Sequence, residues 1–209
     1  MVQSLELTLA QLAGLAGQQS AEASAALLLR QAQAITALYW HEERPDLDYT
    51  RILGVGRPTR VTRGICDGFS LPVYAADQEE LFFNICVPDR YDEASDIIVH
   101  IHCYIDTANT NKNFQLRLEW EHHSDGDLVP VIFNTVTVET PTGAAAQFMS
   151  FHVEFTIDYD IDGADVIAGD DELDLRLYRI AASADEIAGE VVVSHLGVEF
   201  RCDKIGRWP

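Results

Sequence analysis

Asp96-Ile-Ile-Val-His-Ile-His-Cys-Tyr-Ile105 is the stretch whose reading decides the fold. Val99, Ile101 and Cys103 fall on one side of an extended chain and His100 and His102 on the other, the period-two alternation of a half-buried strand. The same texture recurs from Glu80 to Cys202. It places strands near 64–73, 80–87, 97–105, 114–122, 130–138, 147–158, 172–180 and 190–201. Turn chemistry separates them: Pro88-Asp89, Asn109 to Asn113, Ser124-Asp125-Gly126-Asp127, Pro141-Thr142-Gly143, Asp162-Gly163 and Ala181 to Gly189. Helical periodicity does not interrupt the series, which disfavours a parallel sheet with crossover helices. The expectation is an all-β protein, an antiparallel jelly-roll-like β-sandwich.

Upstream the texture changes. Residues 2–38 are rich in Ala, Leu, Gln and Ser and carry only Glu6, Glu22 and Arg30 as charges, so a helix is expected, broken around Gly14 and Gly17. A helix so dependent on alanine does not bury its stripe alone and calls for a partner surface. Residues 39–62, with Arg44-Pro45, Gly54, Gly56 and Arg57-Pro58, read as an extended connector. The domain expectation is therefore a helical and extended arm over 1–62, serving docking or oligomerisation, and a β-sandwich body over 63–209.

A formal charge of −20 among 209 residues, with Lys112 and Lys204 the only lysines, repels phosphate backbones and anionic lipid heads at long range. Nucleic acid and membrane are excluded as expected partners on that ground. Neither a basic segment followed by an apolar one at the start nor a run of membrane-spanning length is present, so the expectation is a soluble, intracellular protein or one carried in a particle assembled there. Cys66, Cys86, Cys103 and Cys202 are scattered without a CxxC pair, which argues against a disulfide framework or a zinc knuckle.

Two clusters carry candidate chemistry. His100 and His102, two apart on a strand, project to one side and could reach one metal ion, with Asp106 four residues on in loose likeness to the cupin His-x-His core and His152 as a late ligand. The glycines of that core are missing, and the plainer alternative, favoured here, has both imidazoles hydrogen-bonding across strands or lining a subunit interface. Asp158, Asp160 and Asp162, followed by Gly163, imitate the opening half of a calcium loop, with Gly169 where the bidentate Glu belongs and Asp170, Asp171 and Glu172 nearby. A solvated acidic turn is favoured there, and no cofactor is expected beyond a weak structural Ca²⁺. His122-His123 reads as a strand end at the surface. Nucleophile elbow, phosphate-binding loop, His-Glu-x-x-His and dinucleotide fingerprint are all absent from the sequence, so an enzyme is not expected.

Asp96-Ile-Ile-Val-His-Ile-His-Cys-Tyr104, Leu116-Arg-Leu-Glu-Trp120, Leu175-Arg-Leu-Tyr-Arg179 and Val198-Glu-Phe-Arg-Cys-Asp-Lys-Ile-Gly206 together resemble, in the same order, a group of tailed-phage virion-associated proteins. Those share a His-x-His-aromatic strand, an Arg-Leu-Tyr-Arg strand and a closing Asp-x-Ile-Gly; Cys103-Tyr104 stands here where a Trp would follow the second histidine. The resemblance implies a non-enzymatic structural role as a capsid decoration or head-fibre protein, a homo-oligomer, by analogy a trimer. Its implied partners are copies of itself and other virion proteins such as the major capsid protein, and its implied location is the virion, assembled in the host cytoplasm. The alternative is a receptor- or glycan-binding tip of a tail or fibre protein, using Tyr104, Asn109, Asn111 and Trp120 as stacking rings and amides, although a core tryptophan is the commoner role for Trp120. A metal-dependent cupin-like enzyme ranks third.

Overall fold

The computed structural model describes residues 39–45, 58–72, 79–128, 132–160 and 166–202. The helix expected over 2–38, most of the Gly/Pro connector, Asp162 with Gly163, and the closing Asp203-Lys-Ile-Gly206 lie outside the described residues. Ten strands follow one another: β1 (Tyr39–Glu43), β2 (Thr59–Arg63), β3 (Cys66–Leu71), β4 (Glu80–Cys86), β5 (Ile97–Ile105), β6 (Asn109–His123), β7 (Asn134–Ala145), β8 (Ser150–Ile157), β9 (Glu172–Ile180) and β10 (Val191–Cys202). No helix occurs among the described residues.

The strands form two antiparallel sheets. One runs β2-β3-β10-β5-β8, with β1 also paired to β10, and the other runs β4-β9-β6-β7. Counted from β3, the first, eighth, third and sixth strands share one sheet and the second, seventh, fourth and fifth the other. That is the interleaved order of a jelly roll, so the expected fold is the observed one.

The core lies between the sheets. β5 and its neighbour β10 send Ile97, Val99, Ile101, Cys103 and Ile105 and Val198 and Phe200 inward, toward Phe114, Leu116 and Leu118 of β6 and Leu173, Leu175 and Leu177 of β9, all of them buried. Each such side chain contributes roughly 1.5–3 kcal/mol relative to an exposed one, which fixes the register because a slip of one residue would turn the whole set outward.

The body begins earlier than the expected boundary at residue 63. Trp40–Cys202 is one compact unit, and the described parts of the connector are strands: β2 pairs with β3 from Thr59↔Ser70 to Arg63↔Cys66, and β1 pairs with β10. Two expected turns are also absent. Asn109 to Asn113 and Pro141-Thr142-Gly143 lie opposite one another inside the long β6/β7 ladder, where the register shifts around Lys112. Positive φ at Asn111 (51°) and Gly143 (58°) serves a bulge there, which uses the same residue types as a turn but bends the hairpin without reversing it.

Arg179 is the largest of the fully buried side chains among the described residues, and it is charged. It donates to the carbonyls of Gly189 at 2.7 Å and of Leu71 and Ile187 at 3.3 Å, and pairs with Glu186. Burial pulls its pKa down and Glu186 opposes that shift; guanidinium stays charged at any working pH. The side chain thus ties the end of β3 to the β9–β10 connection. Arg179→Met, which keeps the bulk and removes every donor, is expected to cost about 3 kcal/mol, since carbonyls and a carboxylate lose their partner. Urea unfolding measures it, and a loss below about 1 kcal/mol would mean that water or another donor replaces the guanidinium.

Candidate functional site

The larger sheet carries a row of imidazoles on its outer face. His102 of β5 sits opposite His152 of β8 and, on its other side, opposite His195 of β10. Ring centroids are 4.7 Å apart for His102 and His152 and 5.4 Å for His102 and His195. His100, two residues back on β5 and on the same side, stacks on His152 at 5.0 Å, with its Nδ1 3.0 Å from His152 Nε2.

Carboxylates ring the four imidazoles. Glu154 Oε1 lies 3.6 Å from His100 Nδ1 and 3.7 Å from His152 Nδ1. Glu199 Oε1 lies 3.2 Å from His100 Nε2, and Glu42 Oε1 3.8 Å from His195 Nε2. Glu42 lies over Gly197, which pairs with His100, so closely that a Cβ there would displace its carboxylate.

The paired projection of His100 and His102 was legible in their spacing, and His152 was named as a late ligand. His195 was missed for a definite reason. Strict alternation from Val191 and Val193 puts residue 195 inside, but the ladder shifts between Val193 and His195, so inward positions resume at Leu196 and His195 turns out. The signal was the apolar spacing 191, 193, 196, 198. Gly68 accommodates the same irregularity on the neighbouring strand, where a Cβ would strike the Val193 carbonyl. Asp106, the expected cupin-like acid, is not in this group: its Oδ1 accepts from Glu190 N at 2.7 Å and from the Thr107 hydroxyl at 2.8 Å.

The acidic turn is a turn in its described part. Asp160 N donates to Asp158 Oδ1 at 3.2 Å, an Asx turn that satisfies one carboxylate locally; Asp162 lies outside the described residues. Asp171, thought close enough to join a calcium site, is instead buried, accepting from Ala168 N at 2.8 Å and the Ser124 hydroxyl at 2.5 Å, with His122 Nδ1 at 3.1 Å. His122, expected at the surface, is therefore an inward-facing partner of that carboxylate. Ser, His and Asp meet here, but the hydroxyl donates to the carboxylate and not to the imidazole, so the serine gains no base and the trio pins a loop.

The two rings of the expected glycan-binding set are buried. Trp120 is 3 % exposed in the core, and Tyr104 is 6 % exposed beside Phe148, over which Arg63 stacks. Asn109 and Asn111 belong to β6 and not to a loop. Outward-facing aromatics lie elsewhere, in a cleft of about 310 Å³ on the outer face of the smaller sheet, where Phe82 and Phe133 flank Asn84, Glu121, Asp174 and Arg176.

No family model matches this chain, and no curated protein matches it. Among solved structures it is similar to a xylan-binding module, CBM15 (10 % identity, 77 % of this chain and 96 % of that one, TM-score 0.44). It is also similar to the CBM36-1 domain of a multidomain xylanase from the hindgut metagenome of Trinervitermes trinervoides (11 %, 76 % and 96 %, TM-score 0.40) and to a chain of infectious bursal disease virus, Gx strain (10 %, 83 % and 34 %, TM-score 0.37). At these identities no function passes from them to this chain.

Burial lowers the pKa of His102, and His152, His195 and His100 push it the same way, against Glu42. The unfolded chain therefore binds more protons than the folded one between that lowered value and the ordinary histidine value of about 6.5. The stability gained from keeping His102 neutral is complete above the ordinary value and is lost as pH falls through the lowered one. Thermal midpoints of the wild type are expected to drop more steeply than those of His102→Gln between about pH 7.5 and 5. Parallel curves for the two proteins would remove His102 as the source.

Proposed function

We propose that this chain is a non-enzymatic structural protein of a phage virion, a homo-oligomer, by analogy a trimer, that decorates the capsid or stands on it as a head fibre. One observation carries the reading: the residues of its phage-like motifs serve the sandwich. In Arg-Leu-Tyr-Arg, Arg179 holds the β9–β10 connection, Leu177 is core, and Arg176 and Tyr178 both bond to Glu119. In Val-Glu-Phe-Arg-Cys, Val198, Phe200 and Cys202 are core and Glu199 meets His100.

Exposed apolar side chains support an assembly role. Ile65, Leu128, Ile132 and Val166 stand out from turns and loops of a chain whose net charge of −20 would otherwise keep copies apart. Contacts of this kind suit subunit association or attachment to the major capsid protein, with no nucleic acid, membrane or cofactor required. The segment before β1 is the docking arm in this reading. A deletion meant to remove it must stop at residue 38, because β1 completes the sheet.

Sedimentation equilibrium of the full chain should give a trimer. The full chain should pellet with capsids, while a chain beginning at Tyr39 should stay folded and remain in the supernatant. A full chain that is monomeric at all concentrations and never pellets with particles overturns the reading.

A second reading, recognition of a saccharide, is favoured by the cleft on the smaller sheet, where the rings of Phe82 and Phe133 line a wall with an amide, carboxylates and Arg176, whose guanidinium lies over Phe133. Glycan-array binding by the full chain that is abolished in Phe133→Ala would replace the decoration role. Binding unaffected by that change would eliminate this cleft.

A further inference from the structure

We infer that His100, His152 and Glu154 form a binding site for one borderline-soft divalent metal ion of the zinc class, on the outer face of the larger sheet. One donor atom from each residue lies within 4.8 Å of the other two. The separations of 3.0 Å between His100 Nδ1 and His152 Nε2 and 3.6 Å between His100 Nδ1 and Glu154 Oε1 bracket the distance between ligands in a tetrahedral zinc site. Bonds of about 2.0–2.1 Å at tetrahedral angles set that distance at about 3.3 Å. The backbone supplies this spacing without strain: β5 and β8 are paired in register, and Glu154 stands directly across from His100.

The surroundings of His100 fit a ligand more closely than a bystander. Its side chain is 13 % exposed, and its Nε2 is sealed from solvent without a hydrogen bond although Glu199 Oε1 is 3.2 Å away. Coordination through Nδ1 would place the ring proton on Nε2, facing that carboxylate, which is the arrangement that orients a metal-bound histidine and raises its basicity. His152 and Glu154 are 44 % and 59 % exposed, so an ion can enter from solvent and the fourth position is left to water or to a group of another molecule.

The donor set selects the metal. Two imidazoles and one carboxylate suit Zn²⁺ and its neighbours, whereas Ca²⁺ and Mg²⁺ want oxygen alone. Glu42 and Glu199 add negative charge beside the site, which favours any cation over none and leaves the choice among cations to the nitrogens. His102, though it stacks on His152, is outside the three-residue group. The ligand pattern is therefore diagonal across two strands and is not the His-x-His pair suggested by the sequence.

The test uses the full chain, freed of metal by chelation and without a histidine tag. Titration with Co²⁺ should give one equivalent with the intense visible bands of a four-coordinate ion, and Zn²⁺ should displace it stoichiometrically. His152→Ala and Glu154→Gln, both at exposed positions that leave the core untouched, should each weaken Zn²⁺ binding at least about tenfold, and Glu199→Gln about tenfold through the orienting carboxylate. His102→Ala should bind as the wild type does. A wild-type chain that takes up no Co²⁺ or Zn²⁺ overturns the assignment. So does a His102→Ala loss equal to that of His152→Ala, which would mean that the strand pair holds the ion instead.

Discussion

β5 and β10 lie side by side at the centre of the larger sheet, and the apolar faces they press against the smaller sheet constrain everything else. A strand residue has only two directions open to it. Once Ile97, Val99, Ile101 and Cys103 are committed inward, His100 and His102 must point out, and β8 on one side and β10 on the other must present their own outward residues to them. The imidazole row is thus a by-product of core packing in its placement, though not in its composition. Burying the core side chains is worth many times what four partly solvated histidines could gain or lose among themselves, so the core dictates and the outer face accepts.

Irregularities decide which residues the outer face receives. A ladder without a bulge in β10 would have carried His195 into the interior, where an imidazole needs partners that the leucines and valines around it cannot supply. The shift after Val193 avoids that cost and completes the row. The bulges at Asn111 and around Lys112 in β6 do something similar on the other sheet. They bend a hairpin whose strands reach 15 and 12 residues, longer than a twisted pair holds without local correction.

What could be read from the sequence divides along the same line. Strands whose alternation is uninterrupted were legible to the residue: β5 and β9 have the bounds that their apolar spacing and flanking turns imply. Reading failed where one residue type serves two purposes. Asn, Gly and Pro mark turns and bulges alike, so β6 was cut short, β7 was placed at 130–138 instead of Asn134–Ala145, and the Asn109 to Asn113 stretch became a loop that does not exist. Pairing across the fold left no local trace at all, which is why the inward turn of His122 toward Asp171, the sealed guanidinium of Arg179 and the approach of Glu42 to His195 were invisible. Each depends on which strands are neighbours, and a jelly roll makes neighbours of residues far apart in the chain.

The outer face of the larger sheet therefore gathers four of the chain's seven histidines, with three glutamates beside them. Elsewhere among the described residues carboxylates meet guanidinium groups, as Glu119 meets Arg176 and Asp67 meets Arg60, or a single imidazole, as Asp171 meets His122. Around His100 the carboxylates meet imidazoles that also lie against one another. Four histidines whose successive ring centroids lie 5.0, 4.7 and 5.4 Å apart stand beside glutamates that call for positive charge. One divalent ion at the proposed site would meet that demand at a single point. It would supply two positive charges while using the nitrogen lone pairs of neutral imidazoles, and the two ring nitrogens 3.0 Å apart would share its coordination shell.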